Sequence, residues 1–373
     1  MSKAADLANL IGNINAGGGG VNRNVVINGA MNVAQRTTSE TGLTGSDNKI
    51  TDKFMIQVSS LGTWTMTQES DAPDGFANSL KLDCTTADAS PASGDYFYMH
   101  HRIEGNMLQH FAYGTSDAKP ITLSFYVKSN KTGTGTVNIL QPDNSYKQVS
   151  PTYTINSANT WERKTVTIAG DTSGVINDDN GRGMELEWWL NSGSNYTSGS
   201  NLTTYGTFSN TNRNASNLGI GGSTDDFWSI TGIQLEVGQN ATAFEHEPFD
   251  VTLNKCYRYF QKFTSSGAQY QRFGVGLSYS STAMSCPVFL MKTMRDVPSV
   301  GTTGTASNYA INHNNDTVTV ASSVPAIAAT GDTPSQNIGV TCAVSGGLDA
   351  GDVSMLISNN NTDSFLSFDA EVN

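Results

Sequence analysis

Ile121-Thr-Leu-Ser-Phe-Tyr-Val-Lys128 decides the fold class. Ile121, Leu123, Phe125 and Val127 alternate with other residues, so they project together from one face of an extended strand. The same period of two recurs on both sides of this stretch. Gly183–Leu190 groups Met184, Leu186, Trp188 and Leu190. A strand starting at Trp161 turns Val166 and Ile168 inward, and Thr231–Gly238 does so with Ile233, Leu235 and Val237. Towards the N-terminus, Val25–Met31 and Asp52–Ile56 read as the opening strands. Beyond Pro248, Cys256–Phe260 reads as an edge strand or a short helix. Phe273–Tyr279 and Val288–Leu290 read as strands, and Met294–Pro298 as a strand end and turn. Ser364–Val372 places Leu366, Phe368, Ala370 and Val372 on one face, so an ordered strand is expected there. Strands with one wet face favour antiparallel sandwiches over a parallel sheet covered by helices. The fold is therefore read as all-β, with two antiparallel β-sandwich domains and a short N-terminal helical or extended anchor.

Composition supports that reading. At 373 residues the chain exceeds the size at which one core keeps growing, so two domains are expected. Charged residues make up 14% and glycines number 37, which suits short strands joined by tight turns rather than exposed helices. The net charge is −12, with no basic run or basic helix. A surface that tracks nucleic-acid phosphates or an anionic membrane is thereby disfavoured. No apolar stretch is long enough to span a bilayer as a helix. Met1–Asp6 lacks the apolar segment of a signal peptide, so synthesis in a cytoplasm is expected. The glycosylation-like triplets at Asn195 and Asn201 then carry little weight. Cys84, Cys256, Cys286 and Cys342 match no zinc or redox spacing and read as buried thiols.

In the leader, Ala4, Leu7, Ala8 and Ile11 share a helical stripe, with Leu10 beside it. So short a helix orders only against a partner, either other copies or a docking protein; a frayed terminus is the plain alternative. Leu7, Leu10 and Ile11 are the anchor candidates, and Gly17–Gly20 reads as a flexible joint.

Glu185 and Glu187 are the most tempting acids. Two apart on a strand, they share a face about 6.5–7 Å apart, within reach of a glycosidase geometry. Trp189 shares that face and offers a ring for a sugar. The competing reading is a solvated sheet face, or an interface between copies. The following loop, Asn191–Asn201, has the small amides and hydroxyls of a binding loop, with Tyr196 and Tyr205 as aromatic area; surface turn filler has the same composition. His100 and His101 adjoin on a strand and point to opposite faces, which argues against a joint metal role. No nucleophile elbow or phosphate loop occurs, and no catalytic set emerges.

Four segments carry a family resemblance: Asn28-Gly-Ala-Met-Asn-Val-Ala-Gln-Arg36, Thr51-Asp-Lys-Phe54, Thr231–Gly238 with Phe244-Glu-His246, and Cys256-Tyr-Arg-Tyr-Phe260. Together they resemble tail-fibre and virion-appendage proteins of double-stranded DNA phages, particularly marine and cyanobacterial ones. The resemblance covers roughly residues 24–300, continuing through Phe289, Met294, Arg295 and Pro298. It implies a jelly-roll module like that of carbohydrate-binding domains, followed by a C-terminal β domain. It also implies a homotrimer joined to other virion proteins, tail or capsid, through its N-terminus. Lys53 departs from the arginine common at that place. The domains expected are an anchor and hinge over 1–22, a carbohydrate-binding-like module over 23–250 and a β-sandwich over 251–373. The expected role is a non-enzymatic virion protein that displays β domains to the host surface, through glycan contact. A purely structural adaptor or decoration protein, and a glycan depolymerase, are the alternatives. Modules of this kind often hold a structural calcium. Asp178-Asp-Asn-Gly181 resembles part of an acidic loop, but Arg182 stands where the next ligand belongs, so no metal site is assigned.

Overall fold

The computed structural model describes residues 3–15, 22–45, 49–314, 316–328 and 337–372. The Gly17–Gly20 joint lies outside the described residues. The chain forms two compact units, one running to Leu253 and taking in Val372, the other spanning Asn254–Glu371.

The first unit begins with helix α1 (Lys3–Asn15). Its stripe of Ala4, Leu7, Ala8 and Ile11 is exposed, whereas Ala5, Asp6, Asn9 and Leu10 are half-buried. Twelve strands follow: β1 (Ser39–Leu43), β2 (Phe54–Ser59), β3 (Thr63–Glu69), β4 (Ser79–Thr86), β5 (Tyr96–Glu104), β6 (Ile121–Ser129), β7 (Gly133–Gln141), β8 (Lys147–Val149), β9 (Thr152–Ile155), β10 (Glu162–Ile168), β11 (Arg182–Ser192) and β12 (Phe227–Val237). One sheet has the order β1-β3-β4-β12-β6-β10; the other runs β2-β5-β11-β7-β8, with β9 also on β7. The two sheets share a core. Trp64 meets Phe97 across it at 4.0 Å, and Phe125 meets Trp188 edge-on at 5.8 Å. The alternating residues of β6, β10, β11 and β12 named above are all buried there, which is the outcome their period demands.

Val25–Met31 corrects the expectation of an opening strand. Val25, Val26 and Ile27 are buried, but Asn28 and Met31 have φ of 61° and 56°, so the segment turns instead of extending. The Asn28 side chain holds the turn. Its amide donates to the Val33 and Asp52 carbonyls, and its oxygen accepts from the Val33 N–H. A Cβ on Gly29 would stand 2.1 Å from the Ile233 carbonyl oxygen, so this position admits only glycine. The segment that carries the family resemblance is thus a clasp between turn and sheet.

β12 pairs with β6 in two stretches, with a register shift between Thr231 and Gln234. Gly232 sits in that bulge at φ +60°. α2 (Ser194–Thr197) lies just past β11.

Cys256–Phe260 resolves into the end of helix α3 (Phe249–Cys256) and the start of the next strand. The second unit carries β13 (Phe260–Thr264), β14 (Arg272–Ser280), β15 (Ala283–Phe289), β16 (Ser299–Gly301), β17 (Tyr309–His313), β18 (Thr317–Val320), β19 (Ala326–Ile327), β20 (Asn337–Ala343), β21 (Val353–Ser358) and β22 (Phe365–Asp369). They form a three-stranded sheet, β13-β22-β16, and a seven-stranded sheet, β18-β17-β21-β14-β15-β20-β19. Leu366, Phe368 and Ala370 share one core with Met284, Val288, Ile311, Val340 and Leu356. All the described pairings in both units are antiparallel, and the architecture is all-β and sandwich-like.

Candidate functional site

The outer face of the β2-β5-β11-β7-β8 sheet gathers the acids singled out from sequence. Glu185, Glu187 and Trp189 are on one face as expected, and all three are buried, which corrects the solvated-face reading. The cause is the chain from Gly193 to Asn217, which folds back over the sheet. Gly206 exchanges two backbone hydrogen bonds with Gln148, and the Ser150 N–H donates to Leu202. Asn214 Nδ2 donates to Ser192 Oγ, and the Ser216 N–H to Thr136 Oγ1.

Arg213 arrives with this segment. Its Nε and Nη2 donate to the two oxygens of Glu187, and its guanidinium lies 4.6 Å from the Trp189 ring centre. Asn138 Nδ2 and Trp189 Nε1 also donate to Glu187 Oε2, each at 2.8 Å. Trp189 stacks on Tyr98 at 4.7 Å and meets Tyr196 at 5.1 Å. Trp189 is thereby sealed away from any sugar. Tyr196 is half-buried as its cover, and Tyr205 packs on the core against Tyr113 at 5.8 Å. The loop reads as a lid over the sheet.

Glu185 sits with His100 Nδ1 at 2.9 Å and Arg102 Nε at 3.3 Å, and Arg182 bonds its other oxygen. Burial pushes its carboxyl up, but the His100 hydrogen bond and the charges of His100, Arg102 and Arg182 hold it well below the usual carboxylate range. Glu187 has its oxygens taken by Arg213, Asn138 and Trp189. Both carboxylates are committed to fixed partners, which leaves neither placed as the proton donor or nucleophile of a glycosidase.

Asp178 and Asp179 are exposed. Asp179 Oδ1 accepts the Gly181 N–H, and its carbonyl accepts the Asn106 N–H, which is a turn's bonding. Among the described residues no group of three or more His, Cys, Asp or Glu is placed to hold a metal ion.

An open cleft lies on the other sheet. Phe76, Tyr126, Phe244 and His246 line it, with Arg163, Asp74 and Asp6 of α1, around a volume of about 290 Å³. Phe76 is the hub, with ring centres 5.4 Å from Tyr126, 5.0 Å from Phe244 and 5.0 Å from His246. Gly232 permits this. A Cβ there would stand 2.7 Å from the Phe76 ring and 2.9 Å from Tyr126. Arg163 is held by the Thr242 carbonyl and Ser124 Oγ. Half-exposed rings beside a guanidinium and carboxylates are the chemistry that stacks on a sugar and exchanges hydrogen bonds with its hydroxyls. The sequence reading missed this site. Phe244 and His246 entered it only as parts of a motif, and the one local signal was a glycine inside the strand pattern of β12.

No protein-family model matches this chain, and no curated protein does. Among solved structures, the enzymatically active domain of tailspike protein 4 from bacteriophage CBA120 matches at 12% identity and a TM-score of 0.30 over 58% of this chain. This chain spans 21% of that one. A family 4 carbohydrate-binding module matches at 12% identity and a TM-score of 0.30, covering 57% of this chain and 99% of that one. A family 61 module in complex with β-1,4-galactotriose matches at 8% identity and a TM-score of 0.28, covering 58% and 99%. At these identities and TM-scores, no residue role passes from them to this chain.

Proposed function

We propose that this chain is a non-catalytic phage appendage protein that contacts host-surface glycan through the Phe76–Tyr126–Phe244–His246 cleft. The observation that supports this is the cleft itself: half-buried Phe76, Tyr126 and Phe244 and exposed His246 cluster around it beside Arg163 and Asp74. Residues 1–22 serve as anchor and joint, 23–250 as a jelly-roll carbohydrate-binding-like module and 251–373 as a second β-sandwich. The protein works in the virion as a homotrimer, so weak sites held together gain avidity.

The test is binding of purified full-length protein to host-cell polysaccharide, compared with Phe76→Ala and Tyr126→Ala. Each variant should weaken binding about tenfold, the equivalent of ~1.4 kcal/mol. Wild-type protein that ignores the polysaccharide, or variants that bind it as well as wild type, would refute the cleft's role.

A purely structural adaptor is the second reading, favoured by the outward Ala4–Leu7–Ala8–Ile11 stripe of α1, which suits a docking helix. Leu7→Asp with Ile11→Asp should then lower incorporation into particles and leave polysaccharide binding unchanged.

A further inference from the structure

The seven-stranded sheet of the second unit has one face on its core; on the other, Ala310 and Ile357 are covered, but a patch centred on β14 is open. On β14, Gly276 and Ser278 turn to the core, and Val275, Leu277 and Tyr279 turn away, each more than half exposed. Val353 on β21 stands opposite Leu277 and is 66% exposed. Phe289 on β15 projects from the same face and is 68% exposed, and Val320 on edge strand β18 continues it. Among the described residues, the outward positions of β21, β14, β15 and β20 carry one charge, Arg272 at the end of β14.

We infer that this face is where copies of the chain associate. These six side chains offer on the order of 700 Å² per copy, close to the ~800 Å² each partner gives to a standard stable interface. The occupant follows from charge. Copies with a net charge of −12 repel one another, and a face whose β14, β15, β20 and β21 positions carry no carboxylate, with Asp316 near Arg272 at its β17–β18 edge, lets them meet with few like charges buried. A glycan is a poor occupant of the open patch, because Val275, Leu277, Val353 and Phe289 offer it no hydrogen-bond partners. This rests on the homo-oligomer reading above and deepens it, placing association on a sheet face in addition to any contact through α1.

The experiment is light scattering on the full chain at micromolar concentration, for wild type and for Leu277→Lys with Val353→Lys. Both positions are exposed, so the variant should keep its far-ultraviolet circular dichroism. Wild type at a multiple of 39.7 kDa and a variant at 39.7 kDa support the inference. A folded variant that keeps the wild-type mass overturns this face and leaves the oligomer reading standing. A monomeric wild type ends both. Should the variant not fold, hydroxyl-radical footprinting of wild type decides: protection of Tyr279 and Phe289 that rises with protein concentration supports the face, and constant oxidation overturns it.

Discussion

Arg213 holds the Glu187 carboxylate and covers the Trp189 indole at once. Replacing it removes the positive partner of a buried anion and unpins the lid segment. Arg213→Met should therefore cost about 3–5 kcal/mol in urea unfolding. Adding Glu187→Gln should restore more than half of that loss, because the uncompensated charge has gone. A single variant losing under ~1 kcal/mol would mean that the ion pair does not hold the lid. Gly232 poses the opposite problem, since its neighbours leave no room for a Cβ and its φ is +60°. Gly232→Ala should destabilise by about 1–3 kcal/mol and, by displacing Phe76, abolish polysaccharide binding in protein that is still folded. Retained binding at wild-type strength would dissociate the bulge from the cleft.

The paired strands β5 and β11 set the acid limit of the first unit. His101 is buried against Phe54 at 4.7 Å. Burial first, then Lys53 and His100 beside it, hold it well below the ordinary histidine value of 6.5. The unfolded chain takes that proton near 6.5 while the folded chain refuses it, so stability is full above 6.5 and is lost as pH falls below it. Glu185 works in the same direction at lower pH. Its folded carboxyl resists protonation that the unfolded one accepts near 4.5, so its contribution is present above 4.5 and is lost below it. Urea midpoints should thus be flat above pH 7 and decline in two stages, and Glu185→Gln should make only the lower one shallower, since Asp71, Glu162 and Asp171 are also held low in the fold. A midpoint that rises on acidification would contradict both assignments. These strands also show what periodicity conveys. Met184, Leu186, Trp188 and Leu190 announced the core face of β11, because alternation reports which residues leave water together. The opposite face of Glu185, Glu187 and Trp189 was misread, because alternation says nothing about a segment that returns from residue 193 onward to cover it. The signal for that cover is Arg213, a lone cation in a polar loop, and its partner is fixed only by tertiary structure. Likewise Phe76 and Phe244 are far apart in sequence, and no local pattern brings them to one cleft.

At the scale of the whole molecule, two cores give two sets of thiols. Cys84 lies in the first unit, and Cys256, Cys286 and Cys342 in the second; all four are buried and none forms a disulfide. Burial pushes the Cys286 thiol up to about 11, and burial with Cys286 nearby pushes Cys342 up to about 12. Burial and then Asp226 raise Cys84 as well. At pH 8 such groups hold little thiolate and reach a disulfide reagent only when their core opens. Labelling in native buffer should therefore run at least ~1,000-fold slower than for a free thiol, given the usual stability of such cores. In a denaturant series, Cys286 and Cys342 should gain reactivity together, because one core shields them, and Cys84 should follow the opening of the other. Mass spectrometry of labelled peptides separates the two classes. Cys286 reacting at the free-thiol rate in native buffer, with Cys342 still protected, would mean that β15 and β20 do not share a closed core. The open patch on the seven-stranded sheet would then be a sign of a loosely packed unit, not a surface waiting for another copy.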